Sequence, residues 1–104
     1  MKFFSILFGK NNNENLSKLV REGTFLADVR TSDEFSKGNA KGSINIPLAE
    51  IGANLDKFKG KEKIVVFCQS GIRSSQAKTI LEQKGFTNVT SGGTWQDINK
   101  ILKK

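Results

Sequence analysis

Residues 64–75 constrain the fold of this chain more than any other stretch. An apolar, largely β-branched run, Ile-Val-Val-Phe, ends at Cys68, which is the only cysteine. A short polar and flexible loop follows, and a helical pattern begins after it. This order predicts a buried strand, a tight loop and the N-terminus of a helix, with Cys68 where the strand ends.

A thiol at that position is expected to be acidified by its surroundings. The positive end of the helix dipole faces it, and successive backbone N–H groups of the loop can form an anion-binding nest. Both effects favour thiolate over thiol, which gives a nucleophilic cysteine in a chain that contains no histidine. Gly71, which permits a positive φ, and Arg73, a permanent cation, favour this role over a cysteine that only packs in the core.

Strand-like and helix-like segments alternate along the rest of the chain. Strands are expected at residues 24–29, 43–46, 63–67 and 88–90, and helices at 14–21, 31–38, 48–58, 74–84 and 95–102, with a turn at 91–94. Continuous apolar runs are typical of strands covered on both faces. The sequence therefore predicts a three-layer α/β domain with a mainly parallel sheet. Active sites of such sheets lie at the carboxyl ends of strands, where Cys68 falls.

Composition narrows the possible partners and compartments. The 104 residues suit one domain, and 17 basic against 10 acidic residues give a net charge of +7. The lysines are scattered without an aromatic-rich basic stripe, so we expect small anionic substrates rather than nucleic acid. A single cysteine cannot form an internal disulfide, which favours a reducing cytoplasm.

The N-terminal residues 1–13 are expected to lie outside the domain, which would comprise residues 14–104. Residues 1–9 hold one lysine and a short apolar run, and three asparagines follow at 11–13. The run is too short to span a membrane, and no small-residue cleavage site follows it. We expect this segment to pack on the domain or to contact a partner, rather than to direct export or bind a membrane.

Motifs in three parts of the chain resemble those of single-domain rhodaneses. The resemblance extends in register over roughly residues 14–102. The residues that carry it are Asp28-Val29-Arg30, Glu34-Phe35, Gly42-Ser43-Ile44-Asn45-Ile46-Pro47, Cys68, Gly71, Arg73-Ser74, Ala77, Leu81, Gly85-Phe86, Val89 and Gly92-Gly93. Asn39 and Lys41 stand where that family usually has histidine and proline.

The resemblance implies a five-stranded parallel sheet and sulfurtransferase activity. Cys68 would take a sulfane sulfur from thiosulfate or a persulfide donor, hold it as a persulfide and pass it to a thiol or cyanide acceptor. Alternatively, the chain would be a sulfur relay whose donor and acceptor are both proteins. This is covalent catalysis with ping-pong kinetics, and it needs no metal or organic cofactor. The loop residues expected to bind substrate and stabilise the persulfide by their N–H groups are Gln69, Ser70, Gly71, Ile72, Arg73 and Ser74.

Individual polar residues have alternative roles. Arg73 can bind the anionic donor, or it can pair with a carboxylate and shape the loop. Capping alone can explain Ser74, whereas Ser70 can either cap or hydrogen-bond a substrate oxygen, and capping is the simpler of its two roles. Asp28, Arg30 and Glu34 are expected to form a structural polar cluster rather than an acid/base pair, and Trp95 to anchor the core.

Two other functions remain in competition with sulfur transfer. Cysteine-loop phosphatases and arsenate reductases also place a thiolate in a nest that ends in arginine, but they use Cys-x5-Arg. The spacing here is Cys68-x4-Arg73, and the tighter ring fits one sulfur atom better than a tetrahedral oxyanion. A regulatory binding module is the second alternative, and the presence of Cys68 argues against an inactive domain.

Overall fold

A computed structural model describes residues 16–103 of the chain. Residues 16–21 are helical and are called α1. The elements that follow are β1 (Phe25–Asp28), α2 (Ser32–Ser36), β2 (Ile44–Asn45), a 3₁₀ segment (Leu48–Lys57), β3 (Ile64–Cys68), α3 (Ile72–Gln83), β4 (Val89–Thr94) and α4 (Trp95–Lys103).

The strands form one parallel sheet in the order β2-β1-β3-β4. The predicted α/β class, with a parallel sheet between helices, is confirmed. In the described residues the sheet has four strands instead of the five that the family resemblance implied. Each of the four strands predicted from the residue pattern pairs in this sheet.

The two faces of the sheet carry separate apolar clusters because side chains alternate along each strand. Val66 and Cys68 face one cluster with Ala77 and Leu81 of α3 and residues of the 3₁₀ segment. Val65 and Phe67 face the other cluster, against residues of α1 and α4. All five residues of β3 are buried, as expected for a central strand covered on both sides. This packing fixes the position of the Cys68 end of the strand.

Two elements differ from the sequence prediction. Residues 48–57 form a 3₁₀ segment that is interrupted at Asn54, whose φ of −126° and ψ of 28° are not helical. Gly52 and Asn54 have low helix propensity, and the Asn54 side chain bonds back to the Glu50 carbonyl, which explains the irregular turn. The predicted turn at residues 91–94 instead extends β4, with an irregular register between Val66 and Cys68.

Residues 1–13, which were expected to form an appendage to the domain, lie outside the described residues. The boundary between residues 13 and 14 therefore stays a prediction. Among residues 16–103, no helix has the length and hydropathy needed to cross a bilayer.

Candidate active site

Cys68 lies at the base of a loop between β3 and α3. It is the last residue of the strand and is buried, while Gly71 is the N-cap of the helix. Gly71 has φ of 97°, a conformation that glycine adopts readily, and this turns its N–H toward the sulfur. The Gly71 nitrogen lies 2.9 Å from Cys68 Sγ and donates a hydrogen bond to it. The loop thus curls around the sulfur.

The surroundings of the sulfur favour its ionised form. Burial raises the pKa of Cys68, but the backbone N–H groups of Ser74, Gly71 and Ser70, together with the Ser74 hydroxyl, lower it by more. The pKa of the thiol therefore lies below its ordinary value. The cause is hydrogen bonding to the thiolate, which overcomes desolvation.

Arg73 reaches away from the loop to a carboxylate on α2. Its two terminal nitrogens donate to Glu34 Oε1 at 2.7 Å and to Oε2 at 3.0 Å, a bidentate pair. Hydrogen bonding to Glu34 raises the pKa of Arg73, and the negative charge of Cys68 adds to this increase. The guanidinium remains cationic and ties the start of α3 to the start of α2.

Asp28 and Arg30 form a buried ion pair at the carboxyl end of β1. The guanidinium of Arg30 binds both carboxylate oxygens of Asp28, at 2.8–3.0 Å, and donates to the carbonyls of Gly38 and Glu34. The Glu34 carboxylate, which was expected in the same cluster, is instead directed at Thr31 and Arg73. Each charge of this buried pair is therefore compensated by an opposite charge or by hydrogen bonds.

The sole tryptophan connects this ion pair to the active-site loop. The Arg30 guanidinium carbon lies 4.7 Å from the centre of the Trp95 ring. The indole Nε1–H donates to Gln69 Oε1 at 3.1 Å. Trp95 also packs in the apolar cluster on the α1 and α4 side, as expected of a core anchor.

The remaining loop residues differ in exposure. Gln69 and Ser70 are exposed, and Ile72 is 68% exposed, which is unusual for isoleucine. Ser74 is fully buried in the first turn of α3 and is not the cap residue that the sequence indicated, since Gly71 holds that position. The Ser74 hydroxyl contacts Gly71 and also Ser91 of β4, a residue that the sequence did not single out.

Metal chemistry was not expected at this site. Among residues 16–103, His, Cys, Asp and Glu side chains do not gather in any group of three able to hold a metal ion. The same part of the chain has no buried side-chain nitrogen or oxygen without a hydrogen-bond partner. The polar groups described above therefore satisfy one another.

Comparison of the whole chain with known proteins identifies a family that it matches. The rhodanese-like domain family matches residues 12–93. The chain is 36% identical over 76 residues to the thiosulfate sulfurtransferase PspE of Escherichia coli (strain K12), covering 68% of this chain and 70% of that protein. It is 40% identical over 83 residues to thiosulfate sulfurtransferase 16, chloroplastic, of Arabidopsis thaliana, covering 68% of this chain and 69% of the relative.

A solved structure agrees with these sequence matches. A rhodanese with anions from E. coli superposes with a TM-score of 0.66 at 31% identity, covering 72% of this chain and 91% of that one. The family match extends over most of the chain, and both relatives are sulfurtransferases. The chain therefore belongs to the rhodanese-like family of sulfurtransferases.

Proposed function

We propose that this protein is a rhodanese-type thiosulfate sulfurtransferase that works through a persulfide on Cys68. The Cys68 thiolate attacks the outer sulfur of thiosulfate, a new S–S bond forms at Sγ, and the S–S bond of thiosulfate breaks. Sulfite leaves with both electrons of that bond. The single negative charge of the thiolate then resides on the terminal sulfur of the persulfide, so charge balances in this step.

The second half-reaction regenerates the enzyme. A nucleophilic acceptor, such as cyanide or a thiolate, bonds to the terminal sulfur of the persulfide while the Cys–S–S⁻ bond breaks. The bonding electrons return to Cys68 as thiolate, and thiocyanate or a new persulfide departs. No oxidant, metal or organic cofactor takes part.

The main observation in support of this proposal is the hydrogen bond from the Gly71 N–H to Cys68 Sγ, at 2.9 Å. The N–H groups of Ser70 and Ser74 act on the thiolate in the same direction. These dipoles are already oriented before substrate binds, so they stabilise the anion without reorganisation. The same groups are proposed to stabilise the persulfide.

The other loop residues are assigned roles that follow from their partners. The pairing of Arg73 with Glu34 supports a role in shaping the loop, with its charge acting on the anion from a distance. Gln69, Ser70 and Ile72, at the exposed rim, are proposed to contact donor and acceptor. Asp28 and Arg30 are proposed to support this edge of the sheet structurally.

Steady-state turnover tests the proposal. Thiocyanate formation from thiosulfate and cyanide should follow ping-pong kinetics, with parallel double-reciprocal lines as either substrate is varied. Cys68→Ser should remove the activity, while Thr79→Ser, an exposed change on α3, should retain it. Intersecting lines, or turnover that survives in Cys68→Ser, would contradict a persulfide on this residue.

One observation favours a protein as the physiological acceptor. Ile72 presents an apolar side chain, 68% exposed, within the loop that surrounds the sulfur. Covering this side chain with an apolar partner surface would remove it from water, which is favourable. Ile72→Ser should therefore slow transfer to a protein thiol, with reduced thioredoxin as the probe, by a larger factor than transfer to cyanide. Equal factors for the two acceptors would argue for small acceptors only.

A further inference from the structure

Ser91 lies in β4, beside the active-site loop, and has no part in the function proposed above. It is opposite Val66 in the parallel pairing with β3. The alternation of side chains directs Ser91 to the α3 side of the sheet, whereas its neighbours Thr90 and Gly92 face the other side. The register irregularity of β4 follows directly after Ser91.

The Ser91 hydroxyl is connected to the sulfur through two residues, Ser74 and Gly71. Its oxygen lies 2.9 Å from the Ser74 hydroxyl, which in turn donates to the Gly71 carbonyl at 2.9 Å. A hydroxyl has one proton, so while Ser74 donates to Gly71, Ser91 must be the donor between the two serines. The Gly71 N–H, which belongs to the preceding peptide unit, donates to Cys68 Sγ.

Gly71 is consequently held on three sides. Its N–H is bound to the sulfur, and its carbonyl accepts from both the Ser74 hydroxyl and the Ser75 N–H. A Cβ at Gly71 would lie 3.8 Å from the Gly93 Cα, so the irregular part of β4 also backs this residue. The orientation of the Gly71 N–H thus depends on β4 as well as on the loop.

We propose that Ser91 is a positioning residue for Cys68: its hydroxyl orients the Ser74 hydroxyl and, through it, the Gly71 peptide groups that surround the sulfur. This inference rests on the proposed function in taking Cys68 as the nucleophile. It assigns part of the construction of the site to an edge strand outside the loop.

The effect operates through the Ser74 hydroxyl. By donating to Ser74, Ser91 polarises the Ser74 O–H bond. This strengthens the hydrogen bond that the Ser74 hydroxyl donates to the Gly71 carbonyl. The Gly71 N–H is among the groups that lower the pKa of Cys68. The charged groups nearby are Arg73, paired with Glu34, and the Asp28–Arg30 pair, and within residues 16–103 none of them is hydrogen-bonded to the Ser91 side chain.

The test is the pH dependence of Cys68 alkylation by iodoacetamide, measured on the full chain. Because Cys68 is the only cysteine, the rate reports its thiolate fraction. Ser91→Ala should raise the inflection by about 0.3 to 0.7 pH unit and slow alkylation about two- to fivefold below it, as expected for part of one hydrogen bond. Thr90→Ala, on the opposite face of the same strand, should leave the inflection unchanged.

A second pair of variants separates the hydroxyl from packing. Ser91→Thr and Ser91→Val add the same bulk at a strand position that tolerates β-branched residues, and only the threonine retains the hydroxyl. The threonine variant should have the lower inflection. In a Ser74→Ala background, the change from threonine to valine at position 91 should have no further effect, because Ser91 acts through Ser74.

The outcomes distinguish this inference from the proposed function. Equal inflections for Ser91→Thr and Ser91→Val, or an equal shift in Thr90→Ala and Ser91→Ala, would overturn the positioning role. If the inflection shifts as expected while wild-type protein never gains sulfur from thiosulfate, the positioning role stands and the sulfurtransferase proposal fails.

Discussion

Glu34 connects the N-terminal ends of helices α2 and α3 at this site. Its carboxylate accepts from the backbone N–H and hydroxyl of Thr31, which completes the capping box of α2, and from both terminal nitrogens of Arg73. The hydrogen bonds from Arg73 and Thr31 lower the pKa of Glu34 to about 2. The carboxylate therefore remains ionised across the physiological range.

This lowered pKa predicts a specific acid sensitivity. A carboxyl group whose pKa is lower in the folded than in the unfolded state stabilises the fold at neutral pH, and that contribution is lost between about pH 4.5 and pH 2. Glu34→Gln should lower the free energy of unfolding at pH 7 by about 0.5–1 kcal/mol, since the side chain is partly exposed. The variant should also have a flatter profile of stability against pH in that window.

Urea unfolding between pH 7 and pH 2 measures both effects. Asp33→Asn is the matched control, because Asp33 is exposed in the same turn and only approaches Lys37 at 3.8 Å. Identical acid profiles for wild type and Glu34→Gln would show that the Arg73 pair does not stabilise the fold.

Arg73 should contribute to the reactivity of Cys68 through its charge. Wild-type alkylation should have its inflection below the free-thiol value of about 8.5. Arg73→Ala should raise the inflection without eliminating activation, because the loop N–H groups remain. Arg73→Lys keeps the charge and should lie between the two. A wild-type inflection at or above the free-thiol value would mean that Cys68 is not activated in the resting protein.

Local sequence signals identified Cys68, Gly71 and the capping box, but they could not identify partners that are distant in the chain. Arg73 was expected either to bind the donor or to pair with a carboxylate, yet nothing local pointed to Glu34, 39 residues away. Ser91 is 17 residues from Ser74 and is an ordinary strand residue by sequence. Both contacts arise from the parallel order of the sheet, which brings separate strand ends to one edge.

Among the secondary structure elements, β4 has the strictest steric requirement. A Cβ at Gly92 would lie 2.8 Å from Val65 Cγ1 and 3.1 Å from Ile98 Cδ1, both in fully buried side chains. Gly92→Ala should therefore destabilise the protein by about 1–3 kcal/mol through overpacking. Gly52→Ala, where a Cβ meets nothing within 4 Å, should change stability by less than about 0.5 kcal/mol. Thermal or urea unfolding compares the two, and similar stability of both variants would contradict the packing described for β4.

The length of the loop between Cys68 and Arg73 is expected to determine substrate class. A ring closed by four intervening residues suits a single sulfur atom, so aryl phosphates should be very poor substrates. Inserting one glycine after Ser70 should widen the ring, misalign the Gly71 N–H and slow thiocyanate formation. Efficient hydrolysis of p-nitrophenyl phosphate by the unmodified protein would contradict the argument from loop length.

The sequence predicted the type of each element correctly where the periodicity was clear. The prediction was wrong where the local geometry depends on packing. The buried β3 strand and the α3 helix lie where the apolar pattern indicated, although α3 begins at Ile72 rather than Ser74. The short α2 helix lies where the capping box indicated. Residues 91–94 carry two glycines and were expected to turn. They extend β4 instead, because they pair with β3. This pairing with a distant strand cannot be predicted from the two glycines alone.

For the molecule as a whole, the sheet and its two covering layers place the Cys68 side chain at a strand end. The buried β3 strand sets the position of Cys68, α3 presents its N-terminus to the sulfur, and α2 and β4 hold the loop from either side. The net charge of +7 is suited to attracting a dianionic donor. These features support a single central claim, that Cys68 carries the transferred sulfur.

Intact-protein mass spectrometry tests that claim most directly. After incubation with thiosulfate and removal of excess reagent, the full chain should gain one sulfur, about 32 Da, and cyanide should remove it with release of thiocyanate. Cys68→Ser should show neither change. A wild-type protein that never gains this mass, whether from thiosulfate or from a persulfide donor, would contradict the proposed mechanism.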